Sequence, residues 1–295
     1  MFARVLFPTD FSAYANATLA CLPELKSAGM GVVTLLYVIR ATDVPLPETV
    51  NRESLKRVRW SAEEQLHIAR LALEGQGLRV FTRVEYGSPA EQIVRVADEE
   101  RIDLIVIGAQ GYTVAQELLL GSVAPEVVPR PPAPVLVQKF DVIRELGHVE
   151  CRRVCAQMFR RVLHPTDFSE CAHAAFQLVK QLKAAGTEEV LVLHVQDERA
   201  MQHRPAKQLA DFDRTDRERL EGLCRALQLF GLRARALLRH GVPFQETLKT
   251  AAEENPDLIV LGSRGRSAIQ EILAGSTLES VVRLARHPVL VVKCP

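Results

Sequence analysis

The residues best placed to do chemistry come in two matched sets. Asp10 lies in Pro8-Thr9-Asp10-Phe11-Ser12, and Asp167 lies in Pro165-Thr166-Asp167-Phe168-Ser169. Farther along, Gly108-Ala109-Gln110-Gly111 is followed, after nine residues, by Gly121-Ser122-Val123. Gly262-Ser263-Arg264-Gly265 is followed, again after nine residues, by Gly275-Ser276-Thr277. A carboxylate accepts hydrogen bonds from sugar hydroxyls or amino groups. Glycine lets a backbone approach an anion without a Cβ clash. A helix start offers unpaired N–H groups and a partial positive charge. A strand, a glycine turn and a helix start carrying a hydroxyl together suit a phosphate. The bland alternative is that the glycines only make tight turns and helix caps. One G-x-x-G would leave that alternative standing. Two copies with one spacing, each after an apolar run of strand length, argue against it.

The elements that must position these residues follow from an internal repeat. Arg4-Val5-Leu6-Phe7 matches Arg161-Val162-Leu163-His164, and Leu36-Tyr37-Val38 matches Leu193-His194-Val195, both at an offset of 157. The glycine motifs and Pro134-Val135-Leu136-Val137 against Pro288-Val289-Leu290-Val291 keep an offset of 154, so the second copy is shorter by three residues. The chain is therefore a tandem duplication, read as domains at 1–140 and 159–295 with a linker at 141–158.

In the first copy, strands are expected near 4–7, 32–38, 78–86, 104–107 and 134–138. Helices between them begin at Ser12 as a cap, at about Glu48 and at Pro89. The second copy repeats this, with strands near 161–164, 190–195, 232–239, 258–261 and 289–292. The core strands are apolar throughout rather than alternating, which suits a parallel sheet covered on both faces. The charged segment between the copies reads as an amphipathic helical linker. Alternating strands and helices predict a doubly wound sheet, in which ligands bind beyond the carboxyl ends of the strands where strand order reverses. If the first and fourth strands are neighbours, Asp10 meets Gly108 and Asp167 meets Gly262.

Composition narrows the classes. The 295 residues suit about two domains. The formal charge of +1 gives no field to recruit nucleic acid or an anionic membrane. No apolar run reaches the length of about 18 residues that a membrane span needs. The start of the chain does not read as a signal peptide, so a cytoplasmic protein is expected. Six cysteines at 21, 151, 155, 171, 224 and 294 are too sparse for a disulfide scaffold. Cys151 and Cys155, with His148, lack the usual spacing of a metal site.

The Pro-Thr-Asp-Phe-Ser after the first strand, the Gly-x2-Gly-x9-Gly-Ser after the fourth and the closing Pro-Val-Leu-Val resemble the universal stress protein family, in its ATP-binding branch. The resemblance spans nearly all of both halves. It implies two doubly wound five-stranded parallel sheets of order 3-2-1-4-5, with an adenine nucleotide (ATP, ADP or AMP) in each crevice. Mg2+ would accompany a triphosphate. It also implies pairing through the fifth strands, which in a tandem chain becomes an intramolecular pseudo-dimer and leaves a further homodimer open. By this resemblance Thr9 and Asp10 border adenine and ribose, and Val38 lines the adenine pocket. Gly108 and Gly111 form the turn beside ribose and phosphate, and Gly121, Ser122 and Val123 form the helix start around phosphate. The matching residues of the second copy are Thr166, Asp167, Val195, Gly262, Gly265, Gly275, Ser276 and Thr277, with Arg264 able to reach a phosphate.

The copies are unequal. Gln110 stands where the second copy has Arg264, and Val123 stands where it has Thr277. Pro129 cuts the following helix of the first copy to about two turns. His164 replaces Phe7 beside the crevice, as a packed strand-end residue or a ligand contact. Trp60 reads as a lid or packing residue. Arg152, Arg153, Arg160 and Arg161 read as a solvated linker face, since few aromatics are interleaved for base stacking. Three function classes remain. A nucleotide-binding stress-response or signalling module leads. A slow ATPase or nucleotidyl-transfer enzyme would use the same crevice. It lacks an evident general base beyond Asp10 or Asp167, and it lacks the Gly-Lys-Ser/Thr element. A scaffold with decayed pockets is the third.

Overall fold

The computed structural model describes residues 1–40, 43, 52–108, 123–129, 131–145, 148–153, 157–201, 205–265 and 277–294. The chain divides into two compact units, Met1–Arg153 and Val154–Pro295.

The first unit runs β1 (Arg4–Pro8), α1 (Ala13–Cys21), β2 (Val32–Ile39), α2 (Arg52–Glu74), β3 (Arg79–Tyr86), α3 (Pro89–Glu99), β4 (Leu104–Gly108), α4 (Ala124–Val127) and β5 (Val135–Gln138). β1 pairs in parallel with both β2 and β4, β2 with β3, and β4 with β5. The strand order is thus 3-2-1-4-5, and the reversal falls between β1 and β4. Val5, Leu6, Leu35, Leu36, Ile105 and Val135 are fully shielded from solvent. Such side chains contribute roughly 1.5–3 kcal/mol each when fully buried. A continuous apolar run is what a strand covered on both faces needs. α2 ends at a turn in which Gly77 adopts φ +79°, a conformation that L side chains resist.

The second unit repeats the design with β8 (Arg161–Pro165), α5 (Glu170–Gln181), β9 (Glu189–Asp197), α6 (Glu198–Met201), α7 (Ala206–Leu229), β10 (Arg233–Gly241), α8 (Pro243–Glu254), β11 (Leu258–Gly262), α9 (Thr277–Leu284) and β12 (Val289–Val292). β8 pairs with β9 and β11, β9 with β10, and β11 with β12, all in parallel. One fastening occurs in both units. The carboxylate of Asp103 accepts from the amide of Arg4, and that of Asp257 accepts from the amide of Arg161, each at 2.9 Å. Each tie sets the start of a first strand against the start of its neighbouring fourth strand.

Two expectations fail, and a third, for Trp60, narrows to one of its alternatives. The segment between the repeats is not a helix. Phe140–Glu145 and His148–Arg153 form an antiparallel pair, β6 and β7. The period-2 alternation in His148-Val149-Glu150-Cys151-Arg152-Arg153 is a strand signal that outweighs the charge pattern of a helical face. Trp60 is not a packing residue, being 67% exposed on α2. Arg161 is not on a solvated linker face. It is half-buried in β8, bridged to Glu189 at 3.1 Å and Glu254 at 3.0 Å.

Candidate functional site

The loop after β1 is built by its own side chains. The Thr9 hydroxyl accepts from the Phe11 amide at 3.0 Å, and the Asp10 carboxylate accepts from the Ser12 amide at 3.0 Å. The Ser12 hydroxyl then caps α1 by accepting from the Ala15 amide at 3.3 Å. The second unit copies each bond. Thr166 accepts from Phe168 at 3.1 Å, Asp167 from Ser169 at 3.0 Å, and Ser169 from Ala172 at 3.2 Å. These interlocked turns hold Phe11 at φ +57° and Phe168 at φ +59°. A bulky residue in that region costs of order 1–3 kcal/mol and persists only where the surroundings impose it. The amides of Thr9 and Thr166 bond across to Leu36 and Leu193 on the second strands, each at 2.8 Å. Each acidic loop is thereby fixed at the carboxyl end of its sheet, beside the strand-order reversal.

In the second unit the acid and the glycine turn converge. A Cβ placed on Gly265 would lie 2.9 Å from Asp167 Oδ2. The Asp167 carboxylate therefore abuts the bare backbone of the turn after β11. Arg264 is exposed beside it and has no ion-pair partner among the described residues. Thr277 is the first residue of α9, and Val123 caps the one-turn α4. Val38 lies on β2 and Val195 on β9, both half-buried near the strand ends. Gly111, Gly121, Ser122, Gly275 and Ser276 lie outside the described residues.

The first glycine of each turn has a different reason from the one its motif suggests. A Cβ on Gly108 would collide with Thr18 Oγ1 and lie 3.2 Å from the Tyr14 carbonyl. A Cβ on Gly262 would meet the backbone of Cys171 at 2.7 Å. These glycines let α1 and α5 pack directly onto β4 and β11. They position the site through helix packing.

The motif reading missed an aromatic wall. Phe11 stacks on Tyr37 with ring centroids 5.2 Å apart, and Phe168 lies 4.6 Å from the His194 ring. Burial, followed by the nearby Asp43, holds the Tyr37 hydroxyl above its ordinary pKa, so it stays a neutral donor. His194 Nδ1 donates to the Thr166 carbonyl at 2.7 Å, and its Nε2 faces the Asp216 carboxylate at 3.4 Å. Gln196 donates to the same carboxylate at 2.9 Å. The signal was present in the repeat: a ring side chain occupies the middle of Leu36-Tyr37-Val38 and of Leu193-His194-Val195.

His164 is a core residue. It is wholly buried, its Nδ1 donates to the Val260 carbonyl at 2.9 Å, and burial lowers its pKa to about 4. It therefore stays neutral and packs near Phe176. Among the described residues no group of three His, Cys, Asp or Glu side chains could hold a metal ion. No helix among them is long and apolar enough to cross a membrane.

Fold and site together define a tandem, doubly wound α/β protein with an acidic loop at each switch point. The family model for the universal stress protein family matches residues 1–139 and 158–293, and the chain belongs to that family. The universal stress protein MJ0577 of Methanocaldococcus jannaschii is 34% identical over 155 residues, which is 46% of this chain and 96% of that protein. A universal stress protein from Thermus aquaticus is 34% identical over 139 residues, again 46% of this chain and 98% of its own length. Each is thus the size of one half. A universal stress protein from Archaeoglobus fulgidus, solved by crystallography, matches both chains over their full length with TM-score 0.77 and 26% identity.

Proposed function

We propose that the chain is an adenine-nucleotide-binding module of stress response or signalling, with one crevice per half for ATP, ADP or AMP. The observation that carries this reading is the approach of the Asp167 carboxylate to the backbone of Gly265. A ribose hydroxyl donating to Asp167 would lie beside backbone and a helix start suited to phosphate. The base would lie toward Val195, with Phe168 and His194 forming an adjoining wall. In the first half the counterparts are Asp10, Val38, Phe11 and Tyr37. Residues at the helix starts, Ser122 with Gly121 and Ser276 with Gly275, would complete the phosphate site by donating from hydroxyl and backbone groups. Mg2+ would accompany a triphosphate.

The duplication supports treating the halves as an intramolecular pseudo-dimer, and a cytoplasmic setting fits the reading. The nucleotide would act by favouring one conformation or partner surface. Ligand at 100 times its dissociation constant adds about 2.7 kcal/mol to stability. The test is mass spectrometry of small molecules released from freshly purified, denatured protein. An adenine nucleotide at one or two per chain is expected. A chain that carries none and shows no rise in melting temperature with added ATP, ADP or AMP would overturn the reading.

A further inference from the structure

A feature confined to the second half lies directly under its glycine turn. Cys171 and Cys294 are joined as a disulfide, with Cα atoms 4.7 Å apart and a sequence separation of 123. Cys171 is the second residue of α5, directly after the Asp167 loop and its cap Ser169. Its backbone is the surface on which Gly262 packs. Cys294 follows β12, and its amide donates to the Ser263 hydroxyl at 3.2 Å, while the Ser263 amide donates to Val292 at 2.9 Å. The bond therefore closes a ring around the turn: Asp167 loop, α5, disulfide, end of β12, Ser263. The first half lacks every part of this device. Tyr14, Ala109 and Phe140 stand where the second has Cys171, Ser263 and Cys294.

We propose that Cys171 and Cys294 form a reversible thiol–disulfide site that exchanges with low-molecular-weight thiols and disulfides, and that its oxidation fixes the Gly262–Gly265 turn. The chemistry suits the two positions. Cys294 is half-exposed and open to a small disulfide, whereas Cys171 is only 6% exposed. In its reduced form Cys171 sits at a helix N-terminus, which favours the thiolate. On oxidation the Cys294 thiolate attacks one sulfur of glutathione disulfide. That S–S bond breaks and one glutathione leaves as its thiolate. The Cys171 thiolate then attacks Cys294 Sγ in the mixed disulfide, and a second glutathione leaves. Two protein thiols lose two electrons and two protons, and one glutathione disulfide becomes two glutathiones. Reduction runs the same steps backward, with the Cys171 thiolate as a good leaving group. Cys224 offers a contrast: burial, then Glu221, push its thiol up to about 11, so it stays an inert thiol. In a reducing compartment the pair rests as a dithiol and records oxidation when it occurs.

The consequence for the nucleotide rests on the function proposed above, whereas the consequence for the turn does not. Fixing the turn before binding removes an ordering cost, so oxidation tightens the second site. The test equilibrates full-length protein in glutathione buffers of graded redox ratio. Peptide mapping after alkylation then measures the 171–294 cross-link, and hydrogen exchange measures the amides of 258–265. We expect the cross-link to appear and vanish reversibly, and exchange at 258–265 to slow about tenfold on oxidation. Exchange at 104–108 should not change, nor should any segment respond in Cys294→Ser. Cys171→Ser serves as a second variant should Cys294→Ser fold poorly. ATP affinity of the second half should rise about tenfold in the oxidised protein. Absence of a reversible cross-link, or a cross-link that leaves exchange at 258–265 unaltered, overturns the proposal. A protein that binds no nucleotide in either state refutes the function proposed above, while the exchange data still decide the redox site.

Discussion

At the scale of single residues, the account turns on groups held in unusual settings. Gly265 is bare because Asp167 occupies the space a Cβ would need. A Gly265→Val substitution should therefore push the carboxylate out of line. ATP affinity should fall by at least about tenfold, the worth of roughly 1.4 kcal/mol, with little change in fold by circular dichroism. Unchanged affinity in a folded variant would remove Asp167 and Gly265 from the site. His164 gives a pH prediction. Its native pKa of about 4 lies below the ordinary 6.5. The unfolded chain thus binds a proton that the native state refuses between those values. His164 therefore costs the fold nothing above about pH 6.5 and destabilises it progressively as pH falls toward 4, by roughly 3 kcal/mol at the lower end. His164→Phe, the residue of the first half, should flatten the acid limb of the stability curve in urea melts from pH 7 to pH 4. An identical acid limb in the variant would show that other groups carry it.

At the scale of elements, packing and bridging set stability. Gly262 faces backbone of α5, which cannot move aside as a side-chain tip can. Gly262→Ala should therefore cost about 1–3 kcal/mol by overpacking, and thermal melts should show the loss without added ligand. A neutral effect would mean that α5 lies farther from β11 than described. Loss of the Cys171–Cys294 bridge, which closes a long loop, should cost the second unit about 2–4 kcal/mol. The melting midpoint of that unit should fall by roughly 10 °C.

Elements also show what a sequence can and cannot display. The ten parallel strands were legible because Leu104-Ile105-Val106-Ile107 and its like are apolar, β-branched and bounded by glycine or proline. The acidic loops were legible because they occur twice. The β6–β7 pair was not, since its charged residues fit a helical face as well as an alternating strand. The packing role of Gly108 and Gly262 was hidden because it depends on a helix from another part of the chain. Pairing of Cys171 with Cys294 was hidden for the same reason, the two lying at a sequence separation of 123. Tyr37 and His194 were less legible, because the repeat is matched by the flanking Leu and Val while the ring residue differs between the copies.

At the scale of the whole molecule, we propose that duplication gave two nucleotide crevices and that divergence left the second the stronger. The second half carries Arg264 for Gln110, Thr277 for Val123, and an eight-residue α9 where α4 has four. A charge-assisted hydrogen bond contributes about 1.5–3 kcal/mol in a sheltered site. Arg264 is exposed, which lowers its contribution and places the expected gap near tenfold. The most direct measurement is calorimetric titration of ATP into two single-site proteins under reducing conditions. One carries Gly111→Val with Ser122→Ala and keeps the second crevice. The other carries Gly265→Val with Ser276→Ala and keeps the first. The account predicts that both bind, one nucleotide each, with the protein keeping the second crevice about tenfold tighter. Equal affinities would contradict the asymmetry, and two folded proteins of which neither binds, alongside an unmutated chain that binds none, would contradict the nucleotide crevices themselves.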